Sequence, residues 1–445
     1  MLTLLSSLVL LALPATPLPD GLHPTPPMGW TSWNTFFENN SQAKMISQMD
    51  ALLDLELDKF GYKFLTIDDY WQLPDRDEVT GRMVEDPEKF PDGIKYLSDY
   101  FHSHGVKIGM YSSAGRFTCS GTLPGSLGYE ETDVEMLLEY EIDYFKYDNC
   151  YPKLDGTTNT GTGVNIDIEA STEHYPSLWQ DPDEESRYAP MAAELAAVKE
   201  VRNITFELCA WGFGNVETFG PSFGHIWRTS QDIADTWDSM LWNIDVNDEV
   251  RFRQEGVQGP NNGWNYPDGL FVGKGGMSDT EYRTMFALWC LVKSPLMLGT
   301  DLTTITRESE AYKIITNERL LAINQDKLGI QGQCVKDCCS HGSLGGLTSP
   351  YTCHHFKHSW QVWAGPLSGG AFVVVVVNRF DKEESITIDW AVDAAIPPGP
   401  YQLENLWTGD VLGQVVVGGE VWEAAQWKGI LQAHDNWSFK LTPVP

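Results

Sequence analysis

Short apolar runs alternate with stretches of helical period from about residue 25 to 325. The runs predicted as strands are Met28–Trp33, Lys63–Asp68, Lys107–Ser112, Asp143–Asp148, Ile204–Ala210, His225–Ser230, a weak one near Gly269–Gly273, and Pro295–Gly299. Between them, Ser41–Leu57 places Met45, Ile46, Met49, Leu52, Leu53 and Leu57 close to the helical period of about 3.6 residues. Asp92–His104 repeats Ile94, Leu97, Tyr100 and Phe101, and Pro190–Val201 and Thr280–Val292 are similar. Strands alternating with helices in this way predict an α/β fold, a parallel (β/α)8 TIM barrel.

The pattern changes after about Leu328. Phe372–Asn378, Ser385–Trp390, Tyr401–Trp407, Gln414–Val417 and Ser438–Leu441 are β-rich runs separated by Gly, Pro and Asp turns. They predict a separate antiparallel β-sandwich. Val373–Val377 is continuously apolar, as in a central strand covered on both faces. The expected layout is a signal peptide at 1–16, the catalytic barrel at 17–328 and the sandwich at 329–445. Asp155–Glu184 is rich in Thr, Gly, Asp and Glu and reads as a long loop after the fourth strand.

Composition narrows the partners. The chain has 445 residues and a formal net charge of -32, which excludes nucleic acid and an anionic membrane surface. The apolar run Leu8–Leu13, followed by small residues, is too short to span a bilayer and reads as a secretory signal. No other segment reaches transmembrane length, and a secreted, extracellular protein is expected. Three sequons, at Asn39, Asn203 and Asn436, agree with secretion as glycosylation sites. The eight cysteines then predict disulfides rather than a metal site, even where Cys334, Cys338, Cys339 and Cys353 cluster near His341, His354 and His355. Cys209 and Cys290 lie in apolar surroundings and read as buried free thiols. Seventeen tryptophans supply flat faces that suit sugar rings and also ordinary packing.

Polar residues collect where the barrel strands end, the face on which barrel enzymes place their chemistry. The second strand ends Asp68-Asp69-Tyr70-Trp71, the fourth Lys146-Tyr147-Asp148, and the sixth runs Trp227-Arg228-Thr229-Ser230-Gln231-Asp232. Lys146 and Asp148 share one face of a strand, so they could neutralise each other. Asp68-Asp69 alone could be a cap, and Arg228 and Asp232 a structural ion pair. Together they point to a site. No His pair stands at these strand ends to hold zinc, and phosphate chemistry would want Gly-rich loops and more cations. Carboxylates with aromatics suit glycosidic bond cleavage, in which one carboxylate attacks or stabilises the sugar cation and another protonates the leaving oxygen. The expected partner is carbohydrate, with no cofactor.

The residues also carry a resemblance. Thr25-Pro26-Pro27-Met28-Gly29-Trp30 with Ser32-Trp33-Asn34, Ile67-Asp68-Asp69, Phe90-Pro91-Asp92-Gly93-Ile94-Lys95 and Lys107-Ile108-Gly109-Met110-Tyr111 stand in order. With Lys146-x-Asp148 and Trp227-Arg228-x-x-x-Asp232-Ile233, they resemble the α-galactosidase/α-N-acetylgalactosaminidase family, family 27 of the glycoside hydrolases. The resemblance covers roughly residues 20 to 300, and the C-terminal region is similar to that family's sandwich.

The resemblance implies roles. Asp148 matches the nucleophile and Asp232 the general acid/base of a retaining double displacement. Asp68 and Asp69 match the pair that binds the 4- and 6-hydroxyls of galactose. Lys146 and Arg228 match residues binding ring hydroxyls, and Trp33 and Tyr111 would line the pocket. Cys119 and Cys150 match a disulfide beside the nucleophile. A nucleophile must stay ionised, as Lys146 nearby would favour, and a proton donor needs a raised pKa. Asp235 is a rival acid, set aside because the motif matches Asp232.

The chain departs from the pattern in places. Tyr70 follows the Asp pair where many relatives carry a cysteine, and no cysteine lies near Trp33. Cys209-Ala210-Trp211 stands where relatives read Cys-Glu-Trp, so Ala210 and Trp211 enter the substrate site and a small Ala210 could leave room for an N-acetyl group. Trp264-Asn265-Tyr266-Pro267-Asp268 replaces Trp-Asn-Asp-Pro-Asp. The leading expectation is a secreted, retaining, exo-acting α-galactosidase. α-N-Acetylgalactosaminidase or β-L-arabinopyranosidase is the alternative within the family, and a non-catalytic sugar-binding barrel the alternative outside it.

Overall fold

The computed structural model describes residues 21–151, 184–250, 258–260, 262–338, 359–418 and 426–444. The expected signal peptide, the body of the Asp155–Glu184 loop, and Cys339, Cys353, His341, His354 and His355 lie outside the described residues.

The first half of the chain is the expected barrel. Its strands are β1 (Met28–Thr31), β2 (Phe64–Thr66), β3 (Lys107–Ser113), β4 (Tyr144–Asp148), β5 (Thr205–Cys209), β6 (Ile226–Arg228), β7 (Trp264–Tyr266) and β8 (Leu296–Leu298). They pair in parallel in the order β7-β6-β5-β4-β3-β2-β1-β8. The seventh strand is Trp264–Tyr266 and not the segment near Gly269–Gly273. Trp264-Asn265-Tyr266 is interrupted by a polar residue and flanked by Gly263 and Pro267, so no apolar run marks it, although Trp and Tyr favour strands. The predicted segment instead closes the ring. Leu270 bridges Leu298 in parallel, its N–H donating to the Met297 carbonyl at 2.8 Å and its own carbonyl accepting from Gly299 N–H at 2.8 Å.

The helices are α1 (Trp33–Phe36), α2 (Gln42–Asp54), α3 (Gly93–Ser103), α4 (Glu130–Glu139), α5 (Glu184–Val198), α6 (Val216–Phe223), α7 (Trp237–Val250), α8 (Asp279–Leu291), α9 (Glu310–Ile315) and α10 (Glu318–Asn324). α2 begins where Ser41 caps it by accepting from Lys44 N–H. α8 opens on a capping box in which Ser278 and Glu281 satisfy each other's backbone donors. Gly29 of the Met-Gly-Trp motif has a local reason: a Cβ there would stand 2.3 Å from the Phe64 carbonyl oxygen, so only glycine lets β1 lie against β2.

The second half is all β. A six-stranded antiparallel sheet runs β14-β13-β16-β11-β10-β9, with a two-stranded sheet of β12 and β15. Their ranges are β9 (Gln333–Lys336), β10 (Trp360–Pro366), β11 (Phe372–Asn378), β12 (Glu384–Asp389), β13 (Gly399–Asn405), β14 (Val411–Val417), β15 (Gln426–Leu431) and β16 (Asn436–Pro443). β11 lies between β10 and β16. Val373, Val375 and Val377 belong to the core that continues into the barrel. Val374 and Val376 belong to the core between the two β layers. The unbroken valine run thus serves two cores, as its pattern predicts.

Among the described residues two disulfides are present, Cys119–Cys150 and Cys334–Cys338. Cys209 and Cys290 are buried free thiols. Asn39 and Asn203 are exposed. Asn436 does not fit the glycosylation expectation. It is buried, its side-chain oxygen accepts from Trp407 Nε1 at 2.9 Å and Ser438 Oγ at 2.7 Å, and its Nδ2 donates to Thr284 Oγ1 at 3.1 Å. That sequon is a joint between sandwich and barrel.

Candidate active site

The C-terminal ends of β2 to β6 gather the predicted residues. Alternation along each strand turns every second side chain inward. Register pairs Tyr111 with Lys146 and Lys146 with Glu207 in one layer, and Ser113 with Asp148 and Asp148 with Cys209 in the next. A carboxylate, a cation and a phenol thus meet without any motif being contiguous.

Asp148 ends β4 and is 6% exposed. Tyr111 Oη donates to its Oδ2 at 2.8 Å and Asn149 N–H to its Oδ1 at 2.9 Å. The Cys119 sulfur, held by its bond to Cys150, lies 3.2 Å from Oδ2. The loop after β3 crosses so closely that a Cβ on Gly115 would stand 1.8 Å from the Cys150 carbonyl oxygen. Glycine and disulfide together fix the wall beside the carboxylate.

Lys146 does not pair with Asp148. Its Nζ donates to Asp68 Oδ2 at 2.8 Å, across to β2, and lies 5.3 Å from the Tyr111 ring centre. Burial works against the ammonium charge, but Asp68, Asp148 and Glu207 around it hold its pKa well above the usual value. The reach of a lysine stem explains the difference from the strand argument: Nζ stands a layer away from its own Cα. The consequence falls on Asp148, whose carboxyl is not pulled down. Burial pushes it up to about 6, Lys146 offsets part of this, and Asp232 adds to it. The nucleophile expected from sequence must be ionised to attack. We therefore expect kcat/KM on an aryl α-galactoside to fall as pH drops through about 6. A pH profile flat from 5 to 8 would contradict this.

The Asp pair sits in a tight turn after β2. Asp68 N–H donates to Ser32 Oγ at 2.9 Å, and Asp69 N–H to Asp68 Oδ1 at 2.8 Å. Asn40 Nδ2 donates to the Asp69 carbonyl at 2.7 Å. Asp69 is also buried. Burial pushes its carboxyl up to about 7, against hydrogen bonds from Thr118 and from the Tyr70 and Ser120 N–H groups. Trp33 stacks on Tyr70 with ring centres 6.4 Å apart and planes 16° apart. A stacked pair therefore links the two segments that many relatives join through cysteines.

Across the barrel mouth, Arg228 ends β6 and is buried. Its Nη2 donates to the Ser230 carbonyl and lies 3.0 Å from both Asp232 Oδ1 and Asp268 Oδ2. Burial disfavours the cation, but Asp268 and Asp232 hold its pKa well above the usual value. Asp232 follows on a loop with its side chain 67% exposed. The proton donor expected from sequence is a solvent-facing carboxylate tied to an arginine. Asp235 is turned away from that role. Its carboxylate accepts from Tyr282 Oη at 2.8 Å and from Gly276 N–H at 2.6 Å, and so anchors the loop.

Ala210 is 0% exposed and belongs to the barrel's hydrophobic core. Trp211 follows half-buried, with a φ of 54°.

Several supporting residues escaped the sequence reading. Ser32 and Asn40 fix the Asp pair. Asp268 holds Arg228 and accepts from Ile233 N–H at 2.9 Å; its place in Trp-Asn-Tyr-Pro-Asp was the available signal. Glu207 lies beneath the site, with Tyr144 Oη donating to it, and burial pushes its carboxyl up to about 7. The one group of potential metal ligands found among the described residues is Cys119, Asp148 and Cys150. Its two sulfurs are joined to each other and offer no thiolates.

A parallel barrel that opposes a buried carboxylate on β4 to an exposed one after β6, with Lys146, Asp68, Asp69 and Arg228 at the same strand ends, has the architecture of a glycoside hydrolase. Comparison with known proteins is specific. The family model described as alpha galactosidase A matches residues 25–168 and 186–326. The alpha galactosidase C-terminal beta sandwich domain matches residues 357–441. Alpha-galactosidase 2 of Arabidopsis thaliana is 39% identical over 373 residues, 84% of this chain and 80% of that protein. The alpha-galactosidase of Coffea arabica is 36% identical over 96% of both chains. The solved alpha-galactosidase of Saccharomyces cerevisiae with raffinose is 25% identical, with a TM-score of 0.77 over 96% of this chain and 100% of that one. The chain belongs to the α-galactosidase family of glycoside hydrolases.

Proposed function

We propose that this protein removes terminal α-linked galactose from oligosaccharides or polysaccharides by double displacement. The observation that carries the reading is the pairing of Asp148, buried and held by Tyr111, with Asp232, exposed and held by Arg228. An ionised Asp148 attacks the anomeric carbon while the glycosidic oxygen leaves with a proton from Asp232. Asp232 then takes a proton from water, the water attacks the same carbon, and the bond to Asp148 breaks. Lys146 with Asp68 and Asp69 offers the charged donors and acceptors that hold ring hydroxyls. The core position of Ala210 favours plain galactose over an N-acetylated sugar.

Proton NMR of p-nitrophenyl α-galactoside hydrolysis tests the reading. The first-formed sugar is expected to be α-galactose, and β-galactose would overturn double displacement. No hydrolysis of α-galactoside, α-N-acetylgalactosaminide or β-L-arabinopyranoside would favour a sugar-binding protein instead.

Secretion belongs to the same proposal. Two disulfides and exposed sequon residues at Asn39 and Asn203 suit an oxidising compartment. Among the described residues, no helix is long and apolar enough to cross a membrane.

A further inference from the structure

The segment Gln231–Thr236, which carries Asp232, contains neither helix nor strand. Its entry is held by the barrel. Asn243 on α7 donates to Ser230 Oγ at 3.0 Å and to the Gln231 carbonyl at 2.8 Å, and Ile233 N–H donates to Asp268. Its exit is held differently. Trp237, the first residue of α7, stacks face to face on His434, with ring centres 4.4 Å apart and planes 15° apart. His434 belongs to the sandwich, in the turn between β15 and β16.

The histidine is itself fixed. Its Nδ1 lies 2.7 Å from Glu281 Oε1 on α8, and its Nε2 3.0 Å from Asp381 Oδ1 on the sandwich. Its carbonyl accepts from Thr284 Oγ1 at 2.7 Å. Glu281 cannot swing freely, because its other oxygen accepts from Ser278 N–H and Oγ in the capping box. Further along α7, Asp245 accepts both terminal nitrogens of Arg379 at 3.1 and 2.7 Å, in a pair only 3% and 4% exposed. Asp248 accepts from Cys334 N–H at 3.2 Å. Three side chains of α7 are thus tied to the second domain.

We propose that the sandwich domain aims the acid/base carboxylate, with His434 as a positioning residue acting through Trp237 on the loop that carries Asp232. Asp232 has one side-chain anchor, Arg228, and two-thirds of its side chain faces solvent, so its direction depends on its backbone. Barrel contacts set the start of that backbone. Asp235, which accepts from Tyr282 Oη and Gly276 N–H, holds its middle, and the His434 stack holds Trp237 at its end. The proposal rests on Asp232 being the acid/base.

The test is the leaving-group dependence of kcat/KM, which reports the step in which Asp232 donates its proton. A dinitrophenyl α-galactoside leaves without protonation; an alkyl α-galactoside does not. His434→Ala and Trp237→Ala are each expected to lower kcat/KM on the alkyl substrate about 10-fold more than on the dinitrophenyl one, part of the roughly 10²–10⁴-fold that a general acid supplies. His434→Phe, which keeps a flat ring over Trp237, is expected to recover most of the loss. Equal losses on both substrates, or none, would show that the domain only stabilises the barrel and would overturn the proposal. Asp232→Asn is measured alongside. If it is selective for the alkyl substrate and the other variants are not, the positioning role alone fails. If it is not selective, the acid/base assignment fails and the positioning role falls with it. Should His434→Ala not fold, the Trp237→Ala comparison decides.

Discussion

Asp148→Asn is expected to reduce turnover of an aryl α-galactoside by at least about 10⁴-fold, the scale seen when a covalent nucleophile is removed. An amide cannot attack the anomeric carbon or later leave from it. The fold should survive and become more stable at neutral pH, and the sign follows from the shift. The Asp148 carboxyl titrates near 6 in the folded protein, above its ordinary value of 3.8. The native state therefore binds more protons between these values, and stability present at low pH is lost as pH rises through about 6. Removing the charge removes that loss. Thermal unfolding at pH 7 and azide rescue together check the prediction. Azide in the space vacated by a parallel Asp148→Gly variant should restore turnover and give β-galactosyl azide, since one displacement inverts the centre. Retained hydrolysis without azide would sink the assignment.

Arg228→Met should cost about 3–5 kcal/mol of stability, the range for breaking one side of a buried ion pair. Arg228 is buried between Asp268, Asp232 and the Ser230 carbonyl. Its removal leaves the Asp268 carboxylate enclosed without its cation, and it frees Asp232 from its one side-chain anchor among the described residues. Urea unfolding measures the first effect and kcat/KM the second. A stability loss below about 1 kcal/mol, as for an exposed pair, would contradict the burial argument. Arg228→Lys should not rescue fully, because an ammonium on a flexible stem lacks the planar guanidinium that holds Nη2 between both carboxylates and the Ser230 carbonyl.

Much of this molecule was legible in order and little of it in contact. Helices α2, α3 and α8 announced themselves by period. Trp264–Tyr266 was overlooked in favour of the segment that closes the ring, because Asn265 interrupts it and Gly263 and Pro267 flank it as turn signals, whereas the equally short β2, β6 and β8 sit inside apolar runs. β10 was missed although its Val362 and Trp363 are fully buried, because it ends in Ala-Gly-Pro, a turn signal in isolation. The sequon at Asn436 read as a surface mark because a three-residue pattern carries no information on burial.

Local chemistry and the spacing of apolar residues belong to the sequence alone. They place Asp68, Asp69, Lys146, Asp148, Arg228 and Asp232 at strand ends, and they make the valines of β11 a central strand. Partnership belongs to the tertiary structure. Lys146 and Asp148 share a strand face, yet barrel closure brings Asp68 within 2.8 Å of the ammonium and leaves Asp148 to Tyr111. Burial then decides ionisation: the carboxyl expected to be held down by its neighbour is pushed up to about 6. Desolvation depends on what surrounds a group from every side, and residues distant in sequence, from Tyr111 on β3 to Asp232 after β6, supply those surroundings.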